Sequence, residues 1–300
     1  MNNKGDLVQY IHGDSTSILK SIPDNKFDLV ITSPPYNIGK EYESKKSIEK
    51  YLEEQEEIIK EIVRVTSNNG SICWQVGNYV SKKKEIFPLD IFYYEIFKKH
   101  GLKLRNRIIW HFGHGLHSQS RFSGRYEVIL WFSKSDDYIF NLDDVRIKSK
   151  YPGKRHFKGP NKGELSGNPK GKNPSDIWEI LIKDWEKEIW DIPNVKANHK
   201  EKTEHPCQYP IELVERCILA LTNKNSEILD PFAGVGSTLI ASLKNGRKAI
   251  GIEKYKKYID IGQKRIELFK HNKLKIREIN QPIYDHTKSK LSQTPKEFTK

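Results

Sequence analysis

Glu227-Ile-Leu-Asp-Pro-Phe-Ala-Gly-Val-Gly-Ser-Thr238 is the stretch on which the fold turns. Glu227 to Asp230 reads as a short strand that stops at Pro231, because proline cannot donate to a ladder. Gly234 and Gly236 let the backbone turn tightly and approach a ligand with no Cβ in the way. A helix then runs from Ser237-Thr238 to about Asn245, and its start offers N–H groups and a positive dipole end suited to a carboxylate or phosphate. Lys248 to Ile252 reads as the next strand, and Glu253 ends it where an acid can accept hydrogen bonds from both hydroxyls of a ribose. No lysine precedes Ser237-Thr238, which excludes a nucleoside-triphosphate loop. Strand, glycine turn, helix, strand and terminal acid predict a site for a nucleoside cofactor, against the plainer reading of a tight turn.

The same alternation extends outward. A helix from about Pro210 to Leu221 precedes the turn, and another to about Lys270 follows it. Near the N-terminus, Phe27 to Thr32 (FDLVIT) reads as the first strand, buried and closed by Ser33-Pro34-Pro35-Tyr36. Ile48, Tyr51, Leu52, Ile58, Ile59, Ile62 and Val63 lie at helical spacing within Ser47 to Thr66. Ser71 to Val76 reads as a strand, Ile86 to Lys99 as a helix, and Leu104 to His111 and Tyr126 to Phe132 as two more strands. The pattern predicts an α/β fold with a doubly wound, mostly parallel sheet and helices on both faces.

Between Arg146 and Lys172 the character changes. Nine Lys or Arg, five Gly and three Pro accompany a single acid, Glu164, so this stretch buries little apolar surface. Trp178, Trp185 and Trp190 follow among charges. Residues 1–145 and 201–272 therefore read as two halves of one domain, 146–200 as an inserted basic region, and 273–300 as a polar tail.

The chain of 300 residues carries 52 Lys and Arg against 39 Asp and Glu, a formal charge of +13 that favours polyanionic partners. Cys73, Cys207 and Cys217 form neither a CxxC pair nor a zinc spacing, and no signal peptide precedes the first strand. A reducing cytoplasm is the expected compartment. No apolar run reaches the ~20 residues needed to span a bilayer.

Ser33-Pro34-Pro35-Tyr36 carries the second piece of chemistry. Two prolines stiffen the chain at the C-terminal end of a strand, where open α/β sheets place their ligands, so a carbonyl, a hydroxyl and an aromatic face can be aimed at one planar group. This motif resembles the catalytic motif of DNA amino-methyltransferases, and Asp230 to Thr238 resembles their S-adenosyl-L-methionine loop. His205-Pro206-Cys207-Gln208-Tyr209-Pro210 is similar to the family's HPxQxP element, and Gly13-Asp14-Ser15, before the first strand, to its Gly-Asp element. With the catalytic motif first, a variable region next and the cofactor loop last, the order is similar to the β class. The resemblance covers roughly Tyr10 to Glu267 and is weakest over Arg146 to His199.

The resemblance implies S-adenosyl-L-methionine as cofactor and double-stranded DNA as substrate. It gives catalysis to Ser33, Pro34, Pro35 and Tyr36, and cofactor binding to Asp14, Gln208, Asp230, Phe232, Gly234, Gly236, Ser237 and Glu253. Asp14 would accept from the adenine, Ser33 Oγ and the Pro34 carbonyl would accept the hydrogens of a flipped base's amine, and Tyr36 would stack on that base. Lys150, Lys154, Arg155 and Lys158 lie where the family keeps its target-recognition region and are assigned to DNA phosphates. Ser33, where many adenine enzymes carry Asp or Asn, points to cytosine N4, with adenine N6 as the alternative. No metal is required, and His111, His114 and His117 read as a polar loop. A cognate restriction endonuclease and a homodimer are open as partners.

Three rival readings are weaker. Pro206-Cys207-Gln208 spells the nucleophile motif of cytosine-C5 enzymes, but it stands before the cofactor loop and inside HPxQxP. Methylation of RNA or a protein glutamine would expect Asn at position 33 and no large basic insert. A DNA-binding module without catalysis would expect damage to the cofactor loop, yet Asp230, both glycines and Glu253 are intact.

Overall fold

Alternation along the buried strands decides the layers. In Phe27–Thr32, Leu29 and Ile31 enter one apolar cluster and Val30 enters the other. Cys73 opposes Ile72 and Trp74 in the same way, and Ile129 and Trp131 oppose Val128, Leu130 and Phe132. Side chains two apart share a face, so each of these strands needs cover on both sides, and helices supply it.

The computed structural model describes residues 7–41, 43–81, 83–112, 118–149, 151–178, 195 and 199–278. In chain order the elements are β1 (Val8–His12), α1 (Ser15–Leu19), β2 (Phe27–Thr32), α2 (Ile48–Val65), β3 (Thr66–Val76), β4 (Asn78–Val80), β5 (Ile86–Pro88) and α3 (Leu89–Lys99). Then follow β6 (Lys103–His111), β7 (Tyr126–Ser133), α4 (Leu142–Val145), β8 (Ile177–Trp178), α5 (Ile211–Leu221), β9 (Glu227–Asp230), α6 (Ser237–Lys244), β10 (Lys248–Glu253) and α7 (Lys256–Lys270).

Eight strands form one sheet in the order β1-β10-β9-β2-β3-β7-β6-β8. From β1 to β3 all neighbours are parallel. β7 is antiparallel to both β3 and β6, and β8 is parallel to β6. Only β7 is therefore reversed among these strands, and the expected doubly wound α/β fold is the one observed. Residues of α2 and α3 (Tyr51, Ile58, Ile59, Ile62, Leu89, Tyr93, Phe97) share one cluster, while α5 and α6 cover the other face through Ile211, Val214, Ile218, Leu239 and Ile240. Burying such side chains stabilises by roughly 1.5–3 kcal/mol each.

The chain winds outward from β2 to β3 and, separately, from β9 to β10, so the sheet order reverses between β9 and β2. Val30 of β2 pairs with Leu229 of β9 at that junction. Such a switch point leaves a crevice at the strand C-termini. Two stretches far apart in sequence, one after Thr32 and one after Asp230, open into that crevice.

Several local expectations are corrected. A strand, β1, precedes Gly13, so Phe27–Thr32 is the second strand and not the first; the half-buried pattern of β1 at the sheet edge hides it in the sequence. β3 begins at Thr66 rather than Ser71, because the chain leaves α2 directly into an extended conformation at Thr66. Ile86 to Pro88 pairs with β4 as a small hairpin, and the helix starts only at Leu89, after Pro88. The basic stretch is mostly loop, held by the bridges Ile147–Lys172 and Arg155–Leu165, and it leads into β8.

Candidate active site

The glycine turn after β9 is built around one carboxylate. Asp230 is fully buried, and its Oδ1 accepts from Thr32 Oγ1 at 2.6 Å and from the Phe232 amide at 3.1 Å. Its Oδ2 accepts from Tyr209 OH at 2.7 Å and Thr238 Oγ1 at 2.6 Å. Burial pushes its carboxyl above the usual aspartate range, and the three hydroxyl donors pull against that. The carboxylate thus ties the end of β2, the HPxQxP element and the start of α6 to one point. Gly236 caps α6 with φ 78°, and a Cβ there would lie 2.5 Å from Tyr10 OH. Neither Asp230 nor Gly236 lines the crevice; both shape the turn that does.

Several amides of this turn are already engaged. Phe232 donates to Asp230, Ala233 to Ile252 O, Gly234 to Glu253 Oε2 at 2.8 Å, and Gly236 to Ala233 O. These four amides of the turn thus hold the protein's own acceptors, ahead of the first residues of α6. Glu253 also accepts from the Tyr255 amide at 2.8 Å through Oε1. Each carboxylate oxygen has two lone pairs, so both retain capacity for hydroxyl donors. Asp14 caps α1 through the Thr16 amide at 3.0 Å and meets Lys254 Nζ at 3.3 Å.

The loop after β2 is braced from below. Tyr51 OH donates to the Pro35 carbonyl at 2.6 Å, and Tyr93 OH lies 2.6 Å from Tyr51 OH. Glu43 accepts the amides of Asn37 and Ile38, both at 2.7 Å, while the Asn37 side chain bonds the backbone of Lys46 in both directions. Ser33 Oγ lies 3.0 Å from Tyr36 OH, which donates to the Gln75 carbonyl at 3.4 Å. Either hydroxyl can donate in the shorter Ser33–Tyr36 contact; with Ser33 as donor, both of its lone pairs are left for another group. Burial, with the Glu127 carboxylate adding to it, holds the Tyr36 phenol well above its ordinary value and keeps it protonated.

Both loops border one cavity of about 750 Å3, within the rough 300–1,000 Å3 range of small-molecule sites. Ser33, Pro34, Pro35 and Tyr36 stand with Phe232, Gly234, Ser237, Glu253, Asp14 and Gln208 in its lining. An acid pair, an aromatic ring and a glycine turn at one end fit a nucleoside with a charged tail. The rigid loop at the other end, with Trp110 and Phe112, fits a planar ring. Gln208 is held by Thr203 at 2.8 Å and the Glu201 carbonyl at 2.8 Å. Cys207 is exposed at the cavity and precedes α5.

The assigned phosphate contacts are apart from this constellation. Lys154, Arg155 and Lys158 are exposed on the basic loop, with Arg155 also donating to Gly163 O at 2.6 Å; Lys150 lies outside the described residues. His114 and His117 lie outside them too, and among the described residues no group of three or more His, Cys, Asp or Glu is arranged to hold a metal. No helix among them is long and apolar enough to cross a membrane.

Gln75 and Glu127 are among the cavity residues that sequence reasoning passed over. Each carried a faint signal: an amide inside the apolar strand run SICWQV, and a charge just before the apolar run Val128 to Phe132.

Comparison with known proteins agrees with this geometry. Residues 27–264 match the N6/N4 family described as DNA methylase. The type II methyltransferase M.BglII of Bacillus subtilis is 45% identical over 258 residues, spanning 86% of this chain and 68% of the relative. The DNA adenine methyltransferase YhdJ of Escherichia coli K12 is 31% identical over 269 residues, spanning 87% and 83%. A protein of Thermus thermophilus, described as a DNA modification methylase and solved with S-adenosyl-L-methionine, superposes with TM-score 0.60 at 26% identity, over 90% of this chain and 99% of that one.

Proposed function

This chain belongs to the N6/N4 DNA methylase family, and we propose that it methylates the exocyclic N4 of a cytosine flipped out of double-stranded DNA. The observation that carries the reading is the single cavity shared by the Ser33–Tyr36 loop and the Phe232–Gly234 turn. S-adenosyl-L-methionine, when bound, supplies an activated methyl group on a sulfonium. Glu253 would accept from its ribose hydroxyls and Asp14 from its adenine, with Phe232 against the ring and Gly234, Ser237 and Gln208 toward the tail.

The remaining work is done on the base. An exocyclic amine is a poor nucleophile because its lone pair is delocalised into the ring. Ser33 Oγ and the Pro34 carbonyl would accept its two hydrogens and favour the tetrahedral geometry that frees the lone pair. The contacts from Ser33 through Tyr36 to Gln75 are compatible with Ser33 as an acceptor, its own proton being given to the phenol when the amine is bound. The Tyr36 ring would stack on the base, and extrusion from the duplex costs a few kcal/mol. Lys150, Lys154, Arg155 and Lys158 would grip phosphates, which provide affinity without sequence. By the type II name of its Bacillus subtilis relative, a cognate restriction endonuclease is a natural partner.

Cytosine is favoured by Ser33, a weaker acceptor than a carboxylate. Adenine N6 is the second reading, favoured by the likeness to YhdJ. The test is incubation with S-adenosyl-L-methionine and mixed-sequence duplex DNA, followed by nucleoside mass spectrometry. N4-methylcytosine is expected, N6-methyladenine would transfer the reading to the second base, and a protein that binds the cofactor yet yields neither would refute both.

A further inference from the structure

We infer that Glu127, held in place by Gln75, is the carboxylate that stabilises the charge developing on the target amine and takes its surplus proton, beside the two hydrogen-bond acceptors Ser33 Oγ and the Pro34 carbonyl. The inference rests on the amino-methylation proposed above and adds a residue to its chemistry. It begins with topology: among the described strands of the eight-stranded sheet β7 alone is reversed, so its first residues come to the edge where the parallel strands end. Tyr126 and Glu127 pair with His111 and Trp110, and Val128 pairs with Val76. Glu127 therefore stands beside Gly77, immediately past the end of β3, and it lines the same cavity as Ser33, Pro34 and Tyr36.

Gly77 fixes how near the carboxylate comes to the catalytic loop. A Cβ there would sit 3.2 Å from Tyr36 Cε2 and 3.5 Å from Glu127 Oε1. Ring edge and carboxylate thus flank a residue that has no side chain between them. Gln75, only 5% exposed, is bound to both: its backbone carbonyl accepts from Tyr36 OH, and its Nε2 donates to Glu127 Oε2. A buried amide that orients a carboxylate beside the stacking ring is a costly arrangement in an apolar strand unless its polar atoms are engaged. Its placement at the cavity makes a chemical use of that carboxylate direct.

The chemistry asks for such a group. As the N–CH3 bond forms and the C–S bond breaks, the positive charge passes from sulfur to the amine nitrogen, and the neutral thioether leaves. A fixed carboxylate beside that nitrogen stabilises the charge as it develops. One of the two amine hydrogens then leaves its bond to Ser33 Oγ or the Pro34 carbonyl and passes to Glu127 as the surplus proton, and on to water. Glu127 touches the reacting amine and is catalytic; Gln75 acts through it and is a positioning residue.

The test compares wild type with Glu127→Gln and Glu127→Asp in steady-state methylation of duplex DNA, with affinity for S-adenosyl-L-homocysteine measured by calorimetry. Glu127→Gln should lower kcat on the order of 10²-fold while S-adenosyl-L-homocysteine affinity and the KM for DNA stay within about twofold of wild type. Glu127→Asp, which restores the charge, should recover at least part of the lost kcat. Gln75→Leu should lower kcat in the wild-type background and have little further effect on top of Glu127→Gln, as expected of residues acting as one unit. A Glu127→Gln protein that turns over like wild type, or one that loses cofactor-analogue affinity in step with kcat, overturns the inference alone. A wild-type protein that forms no methylated nucleoside overturns the parent reading and this one with it.

Discussion

Asp230→Ala should unfold the junction between the two motifs, and the structure sets the size of the effect. The substitution leaves three hydroxyls (Thr32, Tyr209, Thr238) and the Phe232 amide without their common acceptor. A hydrogen bond to a charged group contributes about 1.5–3 kcal/mol, and a buried donor left unpaired costs about 1–3 kcal/mol. The four losses do not add. Tyr209 OH and Thr238 Oγ1 already approach one another and can partner each other, and removing the carboxylate also removes the cost of burying its charge. A net loss of roughly 3–5 kcal/mol follows for Ala, the scale of breaking a buried charged network. Asn keeps the shape and one acceptor oxygen, so about 1–2 kcal/mol is expected for it. Urea denaturation of the cofactor-free protein, with m-values compared, measures both. If Asp230→Ala shifted stability by less than about 1 kcal/mol, the carboxylate would not be the tie between β2, β9 and α6 described above.

Further outcomes are expected at the site and on the basic loop. Ser33→Ala should lower kcat by about 10²–10³-fold, as loss of one preorganised hydrogen-bonding group does, with calorimetric cofactor affinity unchanged; Tyr36→Ala should likewise weaken turnover strongly, and normal methylation by it would refute the stacking role. Gly234→Val should abolish cofactor binding in equilibrium dialysis, because the residue sits at φ 49° and its Cβ would lie 3.3 Å from His205 Nε2. Burial lowers the His205 pKa to about 4, so the unfolded chain, titrating near 6.5, takes up the proton first; stability should be complete above about pH 6.5 and fall by up to about 3 kcal/mol as pH drops toward 4, and His205→Gln should flatten that part of the curve. Alanine at Lys154, Arg155 and Lys158 together should weaken DNA binding for all sequences and reduce the slope of log affinity against log salt by about 0.9 for each phosphate no longer neutralised.

Much of this architecture is legible in the residues, for physical reasons. β2, β9 and β10 lie in the middle of a covered sheet, so they are near-continuous apolar runs stopped by Pro, Gly or an acid, and such runs announce themselves. β1 at the sheet edge needs only half of its residues buried, and its Gln9 and His12 conceal it. The meeting of Ser33 and Gly234 in one cavity follows from the expectation that both loops leave strand C-termini. The environment of Asp230 does not follow, because an acid at a ligand loop reads as a ligand contact. Only three dimensions reveal that Thr32, Tyr209 and Thr238 converge on it. Glu127 is hidden for a related reason: strand C-termini are where a parallel sheet keeps its site, and a residue at the N-terminus of a strand joins them only if that strand is reversed. The Gln75–Glu127 bond spans 52 positions and depends on that reversal.

That one cavity brings the cofactor's methyl group to the Ser33–Tyr36 loop is tested most directly by a crystal structure with S-adenosyl-L-homocysteine. Adenosine is expected between Phe232 and Asp14, with the ribose hydroxyls on Glu253 and the sulfur facing Ser33 and Glu127 across space for a planar base. A ligand bound outside this cavity, or one whose sulfur faces away from the Ser33–Tyr36 loop, would contradict it.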